Sequence, residues 1–189
     1  MADREFRSRD TMATKTTISW EEFLAAGKED QRWEWVDGEI QFMSPANIRH
    51  ERVLFILNVH VGNYCEAHPE WIGLASNSVF TTVAENWRMP DLSLVRKDRF
   101  PAGELPVRAE FAPDIAFEIL SPGNTAAEIQ SKRRDYFESR VVQVWIDIYD
   151  RSIELIGKDG RSRFFKEDQT LVIDELPGFA LQLKVLFAL

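Results

Sequence analysis

The segment from Pro113 to Tyr136, P-D-I-A-F-E-I-L-S-P-G-N-T-A-A-E-I-Q-S-K-R-R-D-Y, constrains the fold more than any other part of the chain. Ile115 to Leu120 is rich in branched and aromatic residues and reads as a buried strand. Glu118 stands in the middle of that strand, where an unpaired carboxylate would cost several kcal/mol. Ser121-Pro122-Gly123 ends the strand as a turn. Thr125-Ala126-Ala127-Glu128 then has the spacing of a capping box, which predicts a helix starting at Thr125. Helical spacing puts Ala126, Ile129, Tyr136 and Phe137 on one face, and Lys132 shares it. Val141 to Tyr149 follows as a second buried strand. Strand, helix and strand in succession favour a parallel pair with a right-handed crossover. A strand acid followed by an inward helical lysine is what the rest of the chain must explain.

Around this unit the sequence predicts further elements. Ser19 caps a short helix carrying Trp20, Phe23 and Leu24. Trp33–Val36 and Glu39–Met43 form a β-hairpin around Asp37-Gly38, with Trp33 and Trp35 on one face and Glu34 and Val36 on the other. Asn47 caps a longer helix to about Ala67, with Val53, Ile56, Leu57, His60, Val61 and Tyr64 on its apolar face. Extended backwards, that face reaches His50 in the first turn. A backbone contact at the helix end and a role in a site are both open for His50. His60 reads as a core histidine and His68 as a surface terminus. Residues 71–83 read as extended, with a loop at 84–87. A short strand then runs from Met89 to Val95, beginning at Pro90-Asp91, and proline is tolerated at a strand start. Asp91 is therefore placed at a strand end, where its side chain can reach a cleft. Residues 97–111 read as loop. Residues 151–157 and 161–166 form a hairpin around Asp159-Gly160, and Leu176-Pro177-Gly178-Phe179 with the apolar tail closes the core. Met1 to Thr17 reads as a disordered tail or an extended start, and Met12 serves equally well as a first residue. Residues 18–189 are then one domain, a length that buries a real core.

No apolar run approaches the roughly 18 residues of a membrane span. The single cysteine, Cys65, excludes an intrachain disulfide framework and fits the reducing cytoplasm. The net charge of −8, from 31 acids and 23 bases, argues against indiscriminate nucleic-acid binding. The bases do cluster, at Arg96, Lys97 and Arg99 and again at Lys132, Arg133 and Arg134, where a solvated helix face is an equal explanation.

Asp91 and Glu118 fall on different strands. Two adjacent strand carboxylates make a hard oxygen site for Mg²⁺ or Mn²⁺, ions that bind a few carboxylates and keep several waters. Lys132 could orient a water or neutralise charge in a transition state. On spacing alone, a structural salt bridge is the stronger explanation of two acids and a lysine.

The motifs tip that balance. Met89-Pro90-Asp91-Leu92-Ser93-Leu94-Val95, then Ile115-Ala116-Phe117-Glu118-Ile119-Leu120-Ser121-Pro122 and Lys132, resemble the widespread bacterial Uma-type family of proposed restriction endonucleases, in the PD-(D/E)XK nuclease superfamily. Trp35-Val36-Asp37-Gly38-Glu39-Ile40, Met43-Ser44-Pro45 with His50, and Leu176-Pro177-Gly178-Phe179 look like its flanking signatures. The match runs from Ile18 to nearly the end of the chain. The resemblance implies an α/β (α+β) restriction endonuclease-like core. Its mixed central sheet would contain the Asp91, Glu118 and Trp145 strands, flanked by helices at about 47–67 and 125–139, with an N-terminal helix and hairpin added. It implies metal-dependent hydrolysis of nucleic-acid phosphodiester bonds, with DNA as the expected substrate. Asp91 and Glu118 would hold Mg²⁺ or Mn²⁺, and Lys132 would serve the water or the developing charge. The superfamily pattern has lysine two residues after the second acid; here that residue is Leu120, and the family's lysine on the following helix corresponds to Lys132. Glu39 and His50 would approach the same pocket, Glu39 as an additional metal ligand; their alternatives are an exposed acid beside a turn and a helix-end backbone contact. Tyr136 reads as core. Cutting both strands of a duplex would favour a homodimer. The alternative function is a non-catalytic binding or assembly module on the same fold.

Overall fold

A computed structural model describes residue 22 and residues 33–43, 47–101 and 104–188. The helix expected at Ser19 to Leu24, the Ser44-Pro45 turn and the N-terminal tail lie outside these residues, apart from Glu22, which is helical.

The chain enters through a hairpin, β1 (Trp33–Val36) and β2 (Glu39–Phe42), paired antiparallel with Val36 opposite Glu39. Asp37 and Gly38 take φ of 51° and 82°, the positive pair that a tight I′ turn requires. Helix α1 (Ile48–Ala67) is capped by Asn47, whose side chain accepts from the His50 N–H. Strands β3 (Trp71–Ala75), β4 (Phe80–Thr81), β5 (Trp87–Arg88) and β6 (Leu92–Arg96) follow. The expected extended stretch over 71–83 is thus two strands, broken by a turn in which Asn77 takes φ of 83°. Next come β7 (Ile115–Leu120), helix α2 (Ala126–Glu138), β8 (Val142–Asp147), and the hairpin β9 (Ser152–Ile156) with β10 (Ser162–Lys166). The chain closes with β11 (Thr170–Leu171), β12 (Leu181–Gln182) and the short α3 (Leu183–Leu186).

Six strands form the central mixed sheet, in the order β10-β9-β8-β7-β6-β3. Strands β7 and β8 are parallel, as the intervening helix requires, and the other pairs are antiparallel. A second, four-stranded sheet of order β2-β1-β5-β4 brings the N-terminal hairpin against β5, where Trp35 stacks on Trp87 with centroids 4.7 Å apart.

The alternation of strand side chains divides the core. Ile115, Phe117 and Ile119 of β7 join Val142, Val144 and Ile146 of β8, the apolar face of α1 and the C-terminal residues Leu171, Phe179 and Leu186 in one buried cluster. Ala116 and Trp145 face the other way, toward Tyr136 and Ile129 of α2. Glu118 follows Ala116 by two residues and so lies on the α2 side. The capping box predicted for α2 is formed at both of its bonds, Glu128 N–H to Thr125 and Thr125 N–H to Glu128.

Two expectations on helix faces change. Phe137 is half exposed, at the rim of the α2 face. His60 is half-buried, while Leu54 takes its place in the α1 core face. Among the described residues no helix is long and apolar enough to cross a membrane.

Candidate active site

The antiparallel register of β6 and β7 sets Leu92 opposite Phe117. Continued by one residue, it brings Asp91 opposite Glu118, at the end of β6 where Pro90 stops the ladder. Asp91 Oδ2 accepts the Ile119 N–H at 2.9 Å, which fixes the carboxylate to the neighbouring strand. His50, in the first turn of α1, points inward and places its Nε2 3.2 Å from the same oxygen. Asp91, Glu118, His50 and Lys132 all line one pocket, together with Glu34 and the Ser121–Asn124 turn.

Lys132 stands at the centre of the charge network. Its Nζ donates to Glu118 Oε1 and Oε2 at 3.2 and 3.1 Å and lies 3.0 Å from Glu34 Oε1. The Tyr136 hydroxyl, one helical turn further on, donates to Glu118 Oε1 at 2.6 Å. Glu34 also accepts the Met89 N–H at 3.0 Å and Arg88 Nη1 at 3.0 Å. Arg88 is wholly buried and donates through Nε to Asp135 at 2.7 Å and through Nη2 to Ser131 at 2.7 Å. A chain of charge-assisted bonds thus runs from α2 through Arg88 and Glu34 to Lys132 and Glu118. Removing any one member strands a buried charge.

Proton affinities follow from this arrangement. Burial pushes Glu118 up to about 7, aided by the negative charges of Asp91 and Glu34 and opposed by Lys132 and Tyr136. Burial would lower Lys132, but Glu118, Glu34 and Asp91 outweigh it and raise its pKa, so the group remains an ammonium. For Asp91 burial is likewise outweighed, here chiefly by His50, and its carboxyl is held below the usual range. His50 is raised because Asp91 and Glu51 overcome the cost of its burial. Tyr136 is raised well above a free phenol, first by burial and then by Glu118 and Glu34, so it remains a donor. Glu34 is lowered: burial opposes this, but Lys132 and Arg88 prevail.

The structure therefore brings together Asp91, Glu118, Lys132 and His50. It does not bring Glu39 to them: that residue is half-buried on β2 and does not line the pocket. The hairpin contributes Glu34 instead, on the same face of the ribbon but further from the turn, where its cross-strand partner Gln41 also lines the pocket. The alternation that paired Glu34 with apolar Val36 was the signal available for it. Tyr136, read from its spacing as core, is buried but bonds to Glu118. Arg88 and Asp135 carry no comparable signal, because each stands among polar neighbours that a solvent-facing loop or helix side explains equally well.

The donor set suits a hard divalent ion. Among the described residues no group of three or more His, Cys, Asp or Glu side chains is arranged as an all-protein metal cage. Mg²⁺, however, is ordinarily held by one or two carboxylates with the rest of its shell as water. The pocket has about 80 Å³ of free space, and roughly 10–15 Å³ suffices for each water. Asp91 and Glu118, with water filling the rest, fit such an ion.

The family profile matching this chain covers residues 20–184, that is, all of these elements, and bears the description "Putative restriction endonuclease" under the name Uma2. The chain belongs to the Uma2 family. No match was found among curated proteins. Among solved structures, the chain is similar to a crystal structure from Anabaena variabilis titled "a putative nuclease belonging to DUF820". The TM-score is 0.81 at 18% identity, over 90% of this chain and 98% of that one. At that identity the likeness is one of fold, and the fold is the restriction endonuclease-like one expected from the motifs. The Uma2 description supports a nuclease-like function for the chain.

Proposed function

We propose that this Uma2 protein is a metal-dependent endonuclease that hydrolyses phosphodiester bonds of DNA. The observation that carries the proposal is the convergence of Asp91 and Glu118, from adjacent strands, on one pocket with a buried Lys132. Asp91 and Glu118 would hold Mg²⁺ or Mn²⁺, which when bound lowers the pKa of a water and stabilises charge on a phosphate oxygen. Lys132 contributes positive charge next to the phosphate, not a basic site, because its acid neighbours keep it protonated. His50 and Tyr136 each hold one carboxylate in place. Two copies of the chain related by a twofold would present two such pockets to a duplex, and the single thiol suits the reducing cytoplasm.

The test is cleavage of supercoiled plasmid, single-stranded DNA and RNA with Mg²⁺ or Mn²⁺, by the parent protein and by Asp91→Ala and Glu118→Ala. Nicking by the parent that both variants lose is the expected result; activity retained in both would refute the assignment. Cleavage confined to RNA would keep the site and change the substrate. A second reading, a non-catalytic binding module, draws on the fact that both oxygens of Glu118 are engaged by Lys132. Metal binding without cleavage of any nucleic acid would select it.

A further inference from the structure

One strand along from the acidic pocket, the same edge of the central sheet carries a second concavity of opposite charge. The parallel pairing sets Leu120 beside Asp147, so the residues that follow, Ser121 on one side and Ile148-Tyr149 on the other, leave the sheet at a common edge. Ser121 lines the acidic pocket; Ile148 and Tyr149 line a cavity of about 180 Å³ together with Arg49, Arg52 and Arg151. Helix α1 joins the two sites physically. Its first turn directs His50 to Asp91 and exposes Arg49 and Arg52, while its capping residue Asn47 donates to the Tyr149 hydroxyl at 3.4 Å.

Three features mark this cavity as an anion site. Arg49 and Arg52, three residues apart on one helix face, have no acidic partner among the described residues, whereas Arg151 pairs with Glu167. Both unpaired arginines stand near the N-terminus of a 20-residue helix, where the macrodipole disfavours cations and favours anions. The chain as a whole has an excess of acids, so three arginines around one hollow are not background. The floor is apolar, with Val53 and Leu186, and the Tyr149 ring is half exposed at the rim. Phosphate-seeking arginines beside an exposed aromatic ring are the combination that follows a nucleic-acid strand, charge to the backbone and ring to a base.

We propose that Arg49, Arg52 and Arg151 with Tyr149 bind the backbone phosphates and an adjacent base of the substrate strand flanking the cleavage pocket. The proposal rests on the reading of that pocket as a nuclease site.

The experiment is fluorescence anisotropy of labelled single-stranded and duplex DNA across a salt titration, in a cleavage-deficient Glu118→Ala background. The variants are Arg49→Ala/Arg52→Ala, Tyr149→Ala, and a control, Lys158→Ala/Arg161→Ala, in the β9–β10 turn at the opposite edge of the sheet. Each phosphate contact contributes roughly 0.7 (single strand) to 0.9 (duplex) to the slope of log K on log salt. The arginine pair should therefore lower that slope by about 1.4–1.8 and weaken binding tenfold or more near 0.1 M salt. Tyr149→Ala should weaken the single strand more than the duplex. The control should leave the slope unchanged, and the unfolding midpoint of the arginine variant should match the parent, because Arg49 and Arg52 are exposed. An unaltered slope in the arginine variant, or an equal loss in the control, would overturn the site while leaving the nuclease reading intact. Absence of DNA binding in the Glu118→Ala parent and in the unmodified protein would overturn both.

Discussion

Replacing Lys132 with methionine separates a charge network built for a site from a fortuitous one. The substitution keeps the bulk of the side chain and removes an ammonium lying 3.0 Å from Glu34 and 3.1 Å from Glu118. Both acids are almost fully buried, but they are not equally stranded. Glu34 keeps Arg88 and the Met89 N–H, each at 3.0 Å. Among the described residues Glu118 keeps the Tyr136 hydroxyl, at 2.6 Å, so the loss concentrates there. Breaking a buried pair by deleting one partner costs about 3–5 kcal/mol. For a chain of this size that lowers the thermal midpoint by roughly 10–15 °C and the urea midpoint by about 1–2 M. The sign of the pH effect follows from Glu118. Its pKa already stands at about 7 and rises further without Lys132, so protonation relieves the stranded charge as pH falls. The deficit should grow with pH and be distinctly larger near pH 8 than near pH 5. Adding Glu118→Gln to Lys132→Met removes both charges and should restore most of the loss, since an absent pair costs far less than half of one. Urea unfolding followed by tryptophan fluorescence measures all three variants. A Lys132→Met protein as stable as the parent at pH 8, or a double variant no better than the single, would refute the reasoning.

Other expectations follow from the same geometry. Glu34 has a lowered pKa, so its contribution is complete above its unfolded value of about 4.5 and is lost as pH falls through the folded one. Glu34→Gln should accordingly flatten the acid limb of the stability profile below about pH 4.5, measured as urea midpoints from pH 6 to 3. Thr125→Ala removes the acceptor of the Glu128 N–H at 3.2 Å and should cost about 1 kcal/mol, read from the same unfolding curves, with metal affinity unchanged.

The frame of the site was legible because it is local. The Ile115–Leu120 run, its turn and the Thr125 capping box lie within one stretch of chain, and helical spacing alone turned Lys132 toward the strand. Asp91 could be placed at a strand end because proline cannot continue the ladder beyond it. Arg88 and Asp135 are not legible in the sequence, since their burial depends on the second sheet folding back over α2, an arrangement no local periodicity encodes; for Glu34 the alternation gives the face it shares with Val36 but not the lysine and arginine it meets there. Glu39 sits beside a turn within a motif and shares the ribbon face of Glu34, but it stands opposite Val36 at the turn end, whereas Glu34 and its partner Gln41 reach the pocket. Phe137 shows the converse error: the spacing of α2 put it on the inward face, but the face is narrower than the pattern and leaves the ring half exposed against the Gly160 turn.

The central claim is that Asp91 and Glu118 make a divalent-metal site, and Mn²⁺ titration followed by electron paramagnetic resonance tests it most directly. The account predicts saturable binding by the parent protein that Asp91→Ala and Glu118→Ala each abolish. No binding by the parent, or binding undiminished in both variants, would contradict it and return the two acids and Lys132 to the role of a buried salt bridge.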